Sequence, residues 1–313
     1  MKTGPLARRL PRLLGGAALL GLMTWIVGPR RLAAVLAQVN PGVFMLALVL
    51  SVASNVASAV RWARIATALG LAAPPLRLLP MYARGMTSNI LLPGATLSGD
   101  MLRALELSRL GNPLLESTVS VAFDRFSGLW TLCVLSFAAA ALASMSGLTL
   151  AAGAHGDSVL TTYGILLGVI VALPFLPWPI TALARLPFAA AARLADLWAR
   201  FRDPGTGLRR RLAGTLYLSL VVQALSALAL AACGASIGLE APLLLVIAAA
   251  APVFVMAALP VGIAGFGTRE LAAVAVLGLA GVGAEQAAAT GLLYGTLGVI
   301  QGTLAAPLFL IPR

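Results

Sequence analysis

From Ser117 to Gly147 the sequence reads STVSVAFDRFSGLWTLCVLSFAAAALASMSG, small and apolar side chains throughout except for two adjacent charges, Asp124 and Arg125. The run is longer than the ~20 residues a helix needs to cross a hydrocarbon core. A helix with no polar face cannot sit on the surface of a water-soluble domain. Comparable runs cover Leu13–Gly28, Gly42–Val60, Leu76–Leu92, Val159–Ile180, Leu212–Ile237, Pro242–Pro260, Leu271–Gly283 and Gln286–Ile311. Lipid offers the backbone no hydrogen bonds, so such runs must be helices. Charged residues make up 10% of the chain, against about 25% in soluble domains. The expected fold is all-α: a polytopic transmembrane bundle of about eight spans plus broken helices in two halves, forming one integral membrane domain over residues 1–313.

The net charge of +12 comes almost wholly from arginine, since Lys2 is the only lysine. Basic loops face the cytoplasm. The N-terminus, 61–77 and 181–211 are rich in Arg and belong inside; 148–157 and 238–241 belong outside. Arg30 and Arg31 oppose this orientation but are outnumbered. They also separate the first apolar run from 35-VLA-37, the wrong layout for a cleaved signal peptide. Both termini are therefore expected in the cytoplasm. Parity then requires 78–110 to enter and return on one side, or to make two extra crossings. The pair 61-RWAR-64 reads as an interface anchor, and 181–211 as an amphipathic helix on anionic inner-leaflet lipid. No soluble basic domain exists to hold nucleic acid. Cys133 and Cys233 sit in apolar runs and read as buried hydrophobes, and His155 stands alone. No metal site and no cofactor is expected.

Two places break the apolar pattern in the same way. Both 92-LPGATLSGDMLR-103 and 259-LPVGIAGFGTRE-270 carry Leu-Pro, small residues, Gly and then Arg, and both open a new helix. Pro and Gly free backbone groups that must be buried in protein or line a polar cavity. Paired interruptions in two halves point to a central binding site. The segments 78–110 and 252–283 are the re-entrant candidates.

Ionisable residues inside spans are functional candidates. Asp124 and Arg125 point about 100° apart on a helix, so their partners are sought among Arg84, Asp100, Arg103, Glu106, Arg269 and Glu270. Asp100, Arg103 and Glu106 are spaced so that Arg103 can meet both carboxylates on one helix face; Glu106 and Arg109 repeat the spacing. One reading is an ion-pair ladder that only packs helices. The other is a charged cavity that holds a lipid headgroup, with arginine forks binding phosphate. The substrate-binding set comprises Arg84, Asn89, Asp100, Arg103, Glu106, Asp124, Arg125, Arg269 and Glu270. No nucleophile–base arrangement points to catalysis. The stretch 262-GIAGFG-267 is neither a P-loop nor a dinucleotide fingerprint. The pair Gly291–Gly295, G-x-x-x-G, reads as a helix-packing face, and the Gly-rich helix faces permit a homo-oligomer.

In this order, 89-NILLPGATLSGDMLRALEL-107, 124-DRFSGL-129, 259-LPVGIAGFGTRELAAV-274 and 293-LYGTLGVIQG-302 resemble the transmembrane domain of lysylphosphatidylglycerol synthase/flippase proteins and their stand-alone relatives. The likeness runs from about Leu10 to Ile311. It implies an inner-membrane bundle with two re-entrant regions, a membrane lipid as substrate and movement of that lipid between leaflets. By position, Asp100 and Arg103, Asp124 and Arg125, and Arg269 and Glu270 match the family's charged motif residues. The synthases carry an aminoacyl-transfer domain after the membrane domain, whereas this sequence reaches Arg313 directly after its last span. Lysyl transfer is not expected of it, and the lipid is left open. A membrane accessory or enzyme that presents a lipid-linked substrate to a separate transferase is the alternative.

Overall fold

The computed structural model describes residues 29–91, 96–148, 203–259 and 265–310, with a few positions between 165 and 201. The runs expected at Leu13–Gly28 and Val159–Ile180, most of 181–211, and the breaks at 92–95 and 260–264 lie outside the described residues. Within them the protein is all-helical. Helices α1 (Pro29–Leu36), α2 (Pro41–Ala68), α3 (Pro75–Leu91), α4 (Thr96–Ser108) and α5 (Leu114–Met145) form the first part. Helices α6 (Leu208–Ala213), α7 (Leu216–Ser236), α8 (Leu243–Ala258), α9 (Thr268–Leu279) and α10 (Ala284–Ala305) form the second, and α10 runs into a 3₁₀ turn at Ala306–Leu310.

Local chemistry sets these limits. Asn40 caps α2, its Oδ1 accepting the N–H groups of Gly42 at 3.0 Å and Val43 at 3.2 Å, and Pro41 follows where its missing N–H costs nothing. At the other end Gly70 turns left-handed at φ +84°. The Leu71 N–H then reaches back to Ala66 O at 3.0 Å, which ends the helix. The same glycine-turned ending recurs at Gly147, Gly238 and Gly281.

Among the described residues, four segments are long and apolar enough to cross a membrane: α2, α5, Leu208–Ser236 and Ala284–Leu310. Helix α4 has 13 residues and α9 has 12. At ~1.5 Å per residue neither reaches across a ~30 Å core.

Polar faces turn into the bundle, beside apolar core clusters, and apolar faces turn outward. On α2, Met45, Val49, Val52 and Val56 are exposed, whereas Ser51, Ser54, Ser58 and Arg61 are buried. On α5 the buried stripe is Ser117, Ser120, Asp124, Ser127 and Thr131. The steps of three and four place each set on one helix face. In lipid, apolar packing supplies no net drive, so small and hydroxylated residues make the helix contacts. Helix α2 packs most extensively on α7, α8 packs on both α5 and α9, and α9 packs on α10.

Two short hairpins stand out against this frame: α3 with α4, and α8 with α9. Each is joined through one of the Leu-Pro breaks. In the first, residue 89 lies opposite 99, 85 opposite 103 and 84 opposite 106, so α3 and α4 run antiparallel. Their close approach requires glycine. A Cβ added at Gly99 would lie 2.0 Å from Gly85 O, and one at Gly85 would lie 2.7 Å from Arg103 Cγ.

Candidate functional site

Asp124, in the middle of α5, is the hub of the first charged group. Arg61 Nε donates to its Oδ1 at 2.8 Å, and Arg103 Nη2 donates to its Oδ2 at 2.8 Å. Arg61 Nη2 adds a bond to the Asp124 carbonyl at 3.1 Å. The guanidinium of Arg103 lies between two rings, 4.3 Å from the centroid of Trp62 and 4.6 Å from that of Tyr82, so quadrupole attraction adds to the ion pair. Both arginines and the carboxylate are buried. Taking such charges out of water costs several kcal/mol per ion unless they are paired, and here both carboxylate oxygens are used.

Asp100 sits one turn before Arg103 and 3.5 Å from its Nη1. It also receives the fork of Arg125, with Nε at 2.9 and 3.0 Å and Nη2 at 2.8 Å. This pair is the most open of the group, the Arg125 side chain being 43% exposed. Arg109 is exposed, and Glu106 is buried. It takes a fork from Arg84 of the preceding helix at 2.9–3.2 Å, because antiparallel packing brings Arg84 opposite it. Asn89 Oδ1 accepts the Gly99 N–H in the first turn of α4 at 2.7 Å.

The second hairpin is built differently. Gly265 and Gly267 adopt φ +77° and +88° just before α9. The Gly267 N–H donates to the Glu270 carboxylate, which thereby caps the helix. The guanidinium of Arg269 lies 5.3 Å from the centroid of Phe266 and 5.9 Å from that of Tyr294. Helix α10 makes room for both charges. A Cβ at Gly291 would stand 3.1 Å from Glu270 Cα, and one at Gly295 would stand 2.1 Å from Arg269 Nη1. The G-x-x-x-G pair is thus a packing face whose second glycine accommodates the arginine head.

Between the hairpins lies a cavity of about 310 Å³. Its charged lining consists of Arg125 and Arg269. Asn89 and Met86 contribute from the first hairpin, and Gly265 from the second. Ser51, Asn55 and Gln301 form a polar wall, linked by Asn55 Nδ2 to Gln301 Oε1 at 2.8 Å and Gln301 Nε2 to Ser51 Oγ at 2.8 Å.

Of the nine residues singled out in the sequence, Asn89, Arg125 and Arg269 line this cavity. Asp100, Arg103 and Asp124 stand behind Arg125 as one ion-pair chain. Arg84 and Glu106 form a separate buried pair beside Leu308. Glu270 caps α9. Arg61 escaped the sequence reading, which took 61-RWAR-64 as an interface anchor. Arg61 and Trp62 are in fact buried in the charged group; only Arg64 reaches outward, to Tyr217. The polar stripe Ser51, Ser54, Ser58, at the same helical spacing as Arg61, was the available signal.

Apolar helices around paired buried charges, with two short hairpins facing a cavity that carries two arginines, define a polytopic helical membrane protein. Residues 12–306 match the family described as lysylphosphatidylglycerol synthase TM region, and the chain belongs to that family. No curated protein matches it in sequence.

Proposed function

We propose that this protein is a flippase-like transporter that moves the polar headgroup of a membrane lipid between leaflets. The headgroup enters the cavity between the hairpins while the acyl chains stay in the bilayer. The observation that carries this reading is a cavity whose charged lining is Arg125 and Arg269, in a bundle otherwise faced with apolar residues. Ionisable residues that face the interior of a membrane bundle mark substrate paths, and guanidinium forks suit phosphate. The two short hairpins, each joined through a Pro- and Gly-containing break, fit the paired interrupted segments from which transporter sites are built. Asp100, Arg103, Asp124 and Arg61 act behind the site by fixing the position of Arg125. The proposed setting is the bacterial inner membrane with both termini in the cytoplasm and the basic 181–211 segment against anionic lipid.

The test is movement of fluorescent lipids in proteoliposomes, comparing the wild type with Arg125→Ala. Arg125 is half-exposed, so its loss leaves the fold standing. Wild-type movement of a lipid that the variant loses is the expected result. Equal movement by both proteins would show that the cavity is not the path. Movement or chemical conversion only in the presence of a separate transferase would favour a presenting role instead.

A further inference from the structure

The charges around the cavity are arranged asymmetrically, and this bears on which headgroup it takes. We infer that the site selects an anionic phosphodiester headgroup carrying hydroxyls, a polyol or sugar phosphate, over a cationic one; the inference rests on the lipid-moving reading above.

The first argument concerns where the negative charges are. Asp124 gives both oxygens to Arg61 and Arg103. Glu106 takes the Arg84 fork, and Glu270 is engaged by the Gly267 N–H. Asp100 receives the Arg125 fork. Among the described residues, no carboxylate lines the cavity, whereas two guanidinium groups do. An ammonium headgroup entering here would meet positive charge first. To gain Asp100, Asp124 or Glu106 it would have to break an existing pair and leave an arginine uncompensated.

The second argument concerns Arg125. Its Nε and Nη2 hold Asp100, while the side chain remains 43% exposed. A phosphate can take over this arginine at low cost, because Asp100 keeps Arg103 at 3.5 Å as a second partner. Asp100 therefore acts as a placeholder for the phosphate. No other arginine of the first group is placed in this way, since Arg61, Arg84 and Arg103 are each buried.

The third argument concerns the uncharged wall. Asn55, Gln301 and Ser51 form a hydrogen-bonded row, and Ser54 pairs with Ser226 at 2.8 Å beside it. Such groups both donate and accept, which matches a polyol. At about 310 Å³ the space lies at the lower end of the roughly 300–1,000 Å³ typical of small-molecule sites. That is room for a headgroup, not for lipid tails.

The experiment is equilibrium binding to the full chain in detergent, read by native mass spectrometry. The probes are phosphatidylglycerol, phosphatidylcholine, lysylphosphatidylglycerol and soluble glycerol 3-phosphate. Phosphatidylglycerol should bind tightest. Arg125→Gln should weaken it by about tenfold to a hundredfold, the range expected for loss of a charged hydrogen-bond donor. Asn55→Asp, which places a carboxylate in the wall, should shift preference toward the lysylated lipid. Lysylphosphatidylglycerol binding as tightly as phosphatidylglycerol to the wild type would overturn the inference. So would an Arg125→Gln protein that is folded and binds phosphatidylglycerol unchanged. Glycerol 3-phosphate binding as tightly as the lipid would overturn a lipid as the source of the anion. Because binding is read without transport, a failure of lipid movement in vesicles would remove the proposed function and leave this result to stand or fall by itself.

Discussion

The two hairpins solve the same problem by different means. Each must hold an arginine inside a membrane bundle next to a break in the backbone. In the α3–α4 hairpin the arginine, Arg103, is held by carboxylates, Asp124 at 2.8 Å and Asp100 at 3.5 Å, and by the Trp62 and Tyr82 rings. In the α8–α9 hairpin Arg269 lies against Phe266 and Tyr294 within the space left by Gly295, while its neighbour Glu270 caps the helix. The first arrangement is over-determined and does not line the cavity. The second places its arginine on the cavity wall. Charge pairing builds the rigid half around Asp124, and aromatic and glycine packing holds Arg269 at the cavity wall.

Breaking the rigid half should have the largest effect. Asp124→Ala removes the shared partner of Arg61 and Arg103 and leaves two guanidinium groups buried around a void. Removal of one partner from a buried pair costs about 3–5 kcal/mol, and here two pairs are lost at once. Thermal denaturation in detergent should show a large fall in Tm or failure to accumulate. A variant as stable as wild type would mean that water already reaches these arginines. No comparable stability loss is expected from Arg125→Ala, whose side chain is open.

A matched pair of glycine substitutions sharpens the comparison. In both hairpin sites an added Cβ would overlap a neighbour at about the same distance, 2.0 Å at Gly99 and 2.1 Å at Gly295. The neighbour differs. At Gly99 it is the Gly85 carbonyl oxygen, fixed in the helix opposite; at Gly295 it is the far end of the Arg269 side chain, with the edge of the Phe266 ring next at 2.8 Å. Gly99→Ala should therefore force α3 and α4 apart and cost about 1–3 kcal/mol, as overpacking does. Gly295→Ala displaces Arg269, and the better helix propensity of alanine, about 1 kcal/mol, offsets the crowding. Its stability should stay near that of wild type while lipid movement falls. If Gly295→Ala proved the more destabilising of the two, the α9–α10 contact would be the rigid one and the comparison would be reversed.

What the sequence made visible follows the same division. The breaks were legible because Pro and Gly have local consequences, and the structure places helix ends on both sides of each. The Asp100–Arg103 pairing was legible because it needs only one helical turn. Glu106 with Arg84 was not, since the pair spans the hairpin and depends on its register. Arg61 was hidden by its setting: an arginine beside a tryptophan near the end of an apolar run has the composition of an interface anchor. The serines at 51, 54 and 58 carried the contrary information, because a membrane helix with hydroxyls along one face turns that face inward. Glu270 after Gly267 carried the spacing of a helix cap, a role that does not require a charged partner.

The smallest effect should come from a pair that is buried, charged and away from the cavity. Arg84 and Glu106 bond through a fork at 2.9–3.2 Å, and neither lines the cavity. Their burial resembles that of Arg103 and Asp124, so burial alone would assign all four the same role. Replacing both members of a buried pair by apolar residues of similar volume is often neutral or stabilising, because the desolvation penalty disappears with the charges. The double variant Arg84→Met with Glu106→Leu should accordingly unfold within about 1 kcal/mol of wild type and move lipid at the wild-type rate. The single variant Glu106→Leu should be clearly less stable, which separates loss of the pair from loss of its balance. A stable double variant that no longer moved lipid would bring Arg84 and Glu106 into the transport path. The rigid half of the site would then reach the Ala306–Leu310 turn, where Arg84 Nη1 already meets Leu308 O at 3.4 Å.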